Sequence, residues 1–140
     1  MKSIADIMTR HVVTVGMDDE LSLMETLLET RGFKHFPVVD EEKKLVGIVS
    51  DRDLRDALSP YVHTAGETPR DEALLHRRAH QLMTRHPVTA VPEDEIDHVA
   101  RLMLFNGVSA IPVVEHDGRL TGIVTWEDML CHYTRPTGAA

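Results

Sequence analysis

Two short segments of this chain hold residue types that could grip a small anion and a sugar: Ser50-Asp51-Arg52-Asp53 and Thr125-Trp126-Glu127-Asp128, each preceded by Gly-Ile-Val. The apolar triplet reads as the end of a strand, and the four residues after it read as the start of a helix. At such a junction a hydroxyl and unsatisfied backbone N–H groups point the same way and the helix dipole favours negative charge, so a phosphate would sit well there. Asp53 and Asp128 lie one turn into their helices on that side, where a carboxylate could accept hydrogen bonds from both hydroxyls of a ribose. The same spacing is also a capping box, a structural device worth about 1 kcal/mol with no ligand at all. Both readings stay open, because a cap orders the groups that a ligand would use. Phe36 and Ile111, each just before a proline, together with Val13 and Val88, could offer apolar surface and strand backbone to a purine ring.

The elements that must position these residues occur twice. Met8-Thr9-Arg10-His11 returns as Met83-Thr84-Arg85-His86, an offset of 75 residues. Carried forward without a gap, that offset aligns Asp19-Glu20 with Asp94-Glu95, Gly32 with Gly107, Pro37-Val38-Val39 with Pro112-Val113-Val114, and Gly47-Ile48-Val49 with Gly122-Ile123-Val124. About 18 of roughly 52 aligned positions are identical, which marks a tandem duplication. Each copy reads as a short first strand (12–15, 88–91), then a helix with apolar residues at Leu21, Met24, Leu27 and Leu28 or at Ile96, Val99, Ala100 and Met103. A hairpin comes next (36–39 with 45–49; 111–114 with 120–124, turning at His116-Asp117-Gly118), and a last short helix starts at Ser50 or Thr125. The expected fold class is therefore α+β: two tandem β-α-β-β-α repeats, 1–58 and 79–135, joined by a linker, 59–78, and trailed by a tail, 136–140. A repeat of about 55 residues buries its own apolar surface poorly, so the copies are expected to pack together about a pseudo-twofold axis.

Composition narrows the function classes. A net charge of −8 and six aromatic rings oppose nucleic-acid binding by bulk charge or by base stacking. One cysteine, Cys131, makes neither an intrachain disulfide nor a multi-thiolate zinc site and suits a reducing, cytoplasmic setting. The first residues lack the apolar core of a signal peptide, and no stretch approaches the ~20 apolar residues of a membrane span. No Ser-His-Asp order, metal signature or phosphate-loop glycine pattern suggests catalysis, so the expectation is a protein that is not an enzyme.

The order of elements, the ungapped duplication and the strings Phe36-Pro37-Val38-Val39-Asp40 and Gly47-Ile48-Val49-Ser50-Asp51-Arg52-Asp53 together resemble the CBS domain, the repeat named for cystathionine β-synthase. Two in tandem form the pair called a Bateman module. The resemblance covers the chain from about Ile4 to Tyr133. It implies a stand-alone regulatory or sensor module that binds adenosine-containing ligands, of the AMP, ADP, ATP, S-adenosylmethionine or NAD type, in clefts between the repeats. It also implies that Asp53 and Asp128 hold ribose. In similar proteins, residues just before the second strand of one repeat reach the phosphate of a ligand held by the other repeat's aspartate. Those residues here are Lys34-His35 and Ser109-Ala110, which would give a cation to the cleft of Asp128 and none to that of Asp53 unless Arg52 turns inward. As an alternative, Lys34 and His35 are a solvated surface pair.

Other recurrences have plainer explanations beside the functional one. Arg10-His11 and Arg85-His86 could line a cleft, or could cap the first short helix of each copy at its C-terminal end. His76 and His80 would share a helix face at four-residue spacing but lack a third metal ligand. Leu23, Leu102, Leu104 and Phe105 exceed what one buried helix face can absorb, so a second face is expected to pair with another subunit. Similar modules associate through these helices, which implies a homodimer. The competing class is a scaffold with empty clefts whose physical act is dimerisation.

Overall fold

The computed structural model describes residues 2–58 and 61–135. The start of the expected linker at Ser59-Pro60 and the expected tail, 136–140, lie outside the described residues. The fold is mixed α+β, and the chain forms two compact units, residues 13–86 and residues 1–12 with 87–140. These boundaries do not coincide with the sequence copies. The first dozen residues belong with the second copy, and residues 79–86, which open the second copy, belong with the first.

In the unit 13–86 the order is β1 (Val15–Gly16), α1 (Leu21–Arg31), β2 (His35–Val39), β3 (Leu45–Ser50), α2 (Asp51–Ala57), α3 (Pro69–Leu74), α4 (Ala79–Leu82) and β4 (Thr84–Arg85). The strands form one sheet in the order β1-β2-β3-β4. β1 runs parallel to β2, which pairs antiparallel with β3 (His35 opposite Ser50), and β4 lies antiparallel to β3 (Ile48 opposite Thr84). In the other unit a 3-10 turn at Ile4–Asp6 precedes α5 (Ile96–Asn106), β5 (Ala110–Val114), β6 (Leu120–Thr125) and α6 (Trp126–Thr134). The β5-β6 hairpin is flanked by single bridges, Ala90 to Val113 and Thr9 to Ile123, which stand where β1 and β4 stand in the first sheet.

The apolar spacing of α1 and α5 buries Leu21 and Met24 in one core and Ile96, Val99 and Met103 in the other. Both helices end at a glycine, Gly32 or Gly107, whose N–H bonds back to the carbonyl of Leu28 or Leu104. The first strands are shorter than expected. The Asp19 carboxylate takes the Gly16 N–H at 2.7 Å and the Asp94 carboxylate takes the Val91 N–H at 3.0 Å, and these bonds turn the chain after each segment.

Two short helices, α3 and α4, stand in and just after the expected linker. Thr68 caps α3, accepting from the Asp71 N–H at 3.3 Å while its own N–H donates to Asp71 at 2.9 Å. The chain breaks between α3 and α4, so His76 and His80 do not share a helix. His76 bonds Glu20 at 2.9 Å instead. Within the linker, His63 lies 2.8 Å from Glu25 of α1. That hydrogen bond, reinforced by the charge of Glu25, raises the pKa of His63. The tie is therefore full below the ordinary histidine range and is lost as pH rises through the raised pKa. Among the described residues no helix is long and apolar enough to cross a membrane.

The exchanged arms are held by matching contacts. The Thr9 N–H donates to the Ile123 carbonyl at 2.8 Å and the Ile123 N–H returns to Thr9 at 2.9 Å. Met8 packs on Gly122 and Met83 on Gly47, and in both places a carbonyl, Thr9 or Thr84, lies 3.0 Å from where a β-carbon would stand. Gly122→Ala and Gly47→Ala are each expected to lower stability by about 1–3 kcal/mol through overpacking. Urea unfolding checks the magnitude, and hydrogen exchange should show the Thr9 and Ile123 amides deprotected first in Gly122→Ala.

Candidate functional site

Each unit carries one candidate centre, at the strand-to-helix junction that ends its hairpin. In the unit 13–86, β2 and β3 place His35 opposite Ser50, and the Lys34 carbonyl accepts the Asp51 N–H at 2.8 Å. Ser50 is the N-cap of α2: its hydroxyl accepts from the Asp53 N–H at 3.2 Å, and its N–H donates to Asp53 Oδ2 at 2.8 Å. The capping box expected from the spacing is thus formed. Among the described residues Asp53 Oδ1 has no hydrogen-bond partner, so it is available to a hydroxyl donor. Lys34 is exposed and His35 half-buried, and their backbone runs beside this junction. Arg52 is exposed, and Arg55 is occupied in an ion pair with Asp51.

The centre at Thr125 and Asp128 is built on the same plan with a different bonding pattern. The Trp126 N–H bonds the Ser109 carbonyl at 3.1 Å, the counterpart of the Asp51 to Lys34 bond. The Thr125 N–H donates to Asp128 Oδ2 at 2.9 Å, and the Thr125 hydroxyl also points at that oxygen, at 3.2 Å. The other oxygen, Oδ1, receives the Thr9 hydroxyl at 3.4 Å. Thr9 was not singled out from the sequence as a site residue. Its signal was there, in the repeated Met-Thr-Arg-His, but its place depends on the exchange of arms. The two carboxylates are therefore inequivalent: a further donor at Asp128 must compete with Thr9, and one at Asp53 meets an unoccupied oxygen.

The remaining expected site residues divide by burial. Val13 and Val88 are half-buried and keep some accessible surface. Phe36 and Ile111 do not: both are wholly buried in the cores of their units. Their side chains therefore offer no exposed apolar surface to a purine, and of the expected contribution the strand backbone remains. The repeated arginines act as helix caps. Arg10 donates to the Ala5 carbonyl at 3.1 Å and Arg85 to the His80 carbonyl at 3.4 Å, the same bond in each copy. Among the described residues no group of three or more His, Cys, Asp or Glu could hold a metal ion.

Known proteins share this architecture. The sequence model of the CBS domain matches residues 4–60 and 79–134. A CBS domain-containing protein of Dictyostelium discoideum is 32% identical over 128 residues, spanning 91% of this chain and 88% of that protein. The L-aspartate semialdehyde sulfurtransferase of Methanocaldococcus jannaschii is 34% identical over 128 residues, 90% of this chain, but the match spans only 22% of the enzyme. Among solved structures, CBSX2 of Arabidopsis thaliana in complex with AMP superposes with a TM-score of 0.79 at 25% identity, over 95% of this chain and 96% of that one. The CBS domain pair of protein MJ0100, in complex with 5′-methylthioadenosine and S-adenosyl-L-methionine, gives 0.78 at 28% identity, over 95% and 96%.

The capping geometry predicts a modest structural cost on its own. In the ligand-free protein, Asp53→Ala and Asp128→Ala are each expected to lower stability by about 1 kcal/mol with folding retained, as measured by chemical denaturation.

Proposed function

The chain belongs to the CBS domain family as a tandem pair of its repeats, and from that premise we propose that it is a regulatory module that senses an adenosine-containing ligand. One observation carries the reading. At both strand-to-helix junctions a hydroxyl residue and an aspartate three positions on are held in a rigid turn, with the Asp53 carboxylate left one oxygen free for a ribose hydroxyl. Solved relatives in complex with AMP, 5′-methylthioadenosine and S-adenosyl-L-methionine support the class of ligand. The ribose is assigned to Asp53 and Asp128, with Ser50 and Thr125 beside them, and Val13 and Val88 lend apolar contact. Lys34, His35 and Arg52 are the basic groups for a phosphate. The activity is regulatory and not catalytic. The matched part is a minor fraction of the enzymes it resembles, 22% and 23% of two of them, which agrees with a control element. Its one cysteine, exposed and unpaired, suits a reducing cytoplasm.

Calorimetry against AMP, ADP, ATP, S-adenosylmethionine and NAD tests this directly. Asp128→Ala and Asp53→Ala should each weaken binding at one centre by about 1.5–3 kcal/mol, the range for a charge-assisted hydrogen bond. Lys34→Ala should weaken phosphorylated ligands more than adenosine. In double-mutant cycles Lys34 should couple to the aspartate whose ligand it serves. Absence of any adenosine ligand for the unmutated protein would overturn the proposal.

The functional unit is a homodimer. In the unit holding the second copy, Leu104 is 66% and Phe105 is 89% exposed, and Trp126, Leu130 and Tyr133 lie exposed along one side of α6. Four of these have polar or charged counterparts one repeat length earlier, namely Glu29, Thr30, Asp51 and Arg55. Two repeats with the same backbone thus differ at surface positions where only an outside contact would favour apolar side chains. Light scattering at micromolar concentration should find a dimer. Paired Leu104→Glu and Phe105→Glu substitutions should give a folded monomer, and a wild-type monomer would overturn the assignment.

A further inference from the structure

The side of α6 that runs from Asp128 through Cys131 and His132 to Arg135 faces Lys2, Asp6 and Ile7 of the arm across a cavity of about 180 Å³. Roughly 300–1,000 Å³ is usual for a drug-sized ligand. The space therefore suits a group the size of an amino acid better than a whole nucleoside. Its walls carry both signs of charge, and the charges do not neutralise one another. Among the described residues neither Lys2 nor Arg135 takes part in an ion pair. Asp6 has one carboxylate oxygen on the Ser3 N–H, at 2.8 Å, and the other remains for a second donor. The half-buried His132 ring is steadied edge-on against Tyr133, with centroids 4.9 Å apart.

A polyphosphate placed here would meet Asp6 and Asp128, and a diamine would meet Lys2 and Arg135. A group with a carboxylate and an ammonium a few bonds apart would satisfy both sets at once. The pattern is particular to this unit: the counterparts of Asp6, Cys131 and His132 in the other copy are Gln81, Asp56 and Ala57. We propose that this cavity binds the ammonium-carboxylate head of an α-amino acid, with Lys2 and Arg135 on the carboxylate and Asp6 on the ammonium. Asp128 also lines it and is shared with the adenosine centre. The head arrives either on a free amino acid or as the aminoacyl tail of an adenosyl ligand whose ribose is on Asp128, and the second source rests on the function proposed above.

Calorimetry on the intact protein and on Arg135→Ala and Lys2→Ala, both at exposed positions, separates these sources. The probes are L-methionine, N-acetyl-L-methionine, L-methioninol, 5′-methylthioadenosine and S-adenosylmethionine. For a free head, L-methionine binds saturably, the two blocked analogues bind about tenfold more weakly or worse, and each variant weakens L-methionine by a similar factor. For a tail, Arg135→Ala weakens S-adenosylmethionine about tenfold while 5′-methylthioadenosine is unchanged. Either pattern supports the site. It is overturned if L-methionine binds no better than its blocked analogues and neither variant changes the ratio of the two adenosyl affinities. Failure of 5′-methylthioadenosine to bind would count against the adenosine reading alone, because the free amino-acid arm still decides the cavity.

Discussion

A carbonyl oxygen set 3.0 Å from the missing β-carbon of a glycine, once in each unit, is the contact on which the rest of the structure depends. At Gly122 it is the Thr9 carbonyl, with Met8 over the same glycine, and at Gly47 it is the Thr84 carbonyl, with Met83. Only a residue without a side chain lets the arm come close enough for backbone bonds to the last strand of the hairpin. Through that approach each sheet gains its outer element, and Met8 and Met83 enter the two cores. Each arm is supplied by the sequence copy that does not own the hairpin. A repeat of this size is short of apolar surface to bury, and the exchange gives it more. It also makes the stability of one copy depend on residues belonging to the other.

The same exchange shapes the chemistry. The arm that closes the sheet on Gly122 carries Thr9, whose hydroxyl reaches Asp128, and it carries Asp6 and Ile7 to the side of α6. The N-terminal ends of α2 and α6 are thus not duplicates in their hydrogen bonds, although each follows the last strand of its hairpin. At Ser50 the hydroxyl accepts from the helix and leaves a carboxylate oxygen free, whereas at Thr125 the hydroxyl is turned toward the carboxylate and Thr9 occupies the far oxygen. The cap and the proposed ligand site are one arrangement here, since the bonds that fix the aspartate also orient the oxygen it presents.

Divergence between the two copies tracks burial. Pro37, Val38, Val39, Gly47 and Val49 are identical to their counterparts across the offset, at positions that set close approach and core. Surface positions have drifted most where one copy needs charge and the other an apolar face. Asp51 and Arg55 form an ion pair on α2, and their counterparts Trp126 and Leu130 lie exposed on α6. A surface ion pair is worth little to folding, so either solution serves the fold, and the difference speaks to contacts outside the chain.

The duplication, the helices 21–31 and 96–106, both hairpins and both capping boxes were legible in the residues, since each rests on spacing within about a dozen positions. The resemblance carried by those strings led to the family, and the family model matches nearly the whole span. Local pattern does not report which copy an arm joins, because Met8-Thr9-Arg10 and Met83-Thr84-Arg85 are identical and either hairpin would accept either arm. Only the tertiary structure assigned them, and with them Thr9 to Asp128. It likewise turned Phe36 and Ile111 into core, for the register of a strand beside its neighbours decides which face a side chain takes, and a shift of one residue reverses it. The types and order of the groups at the two junctions were written in the sequence. Whether an aspartate oxygen remains free was decided by long-range packing, because the hydroxyl that takes the second oxygen of Asp128 lies 119 residues away along the chain.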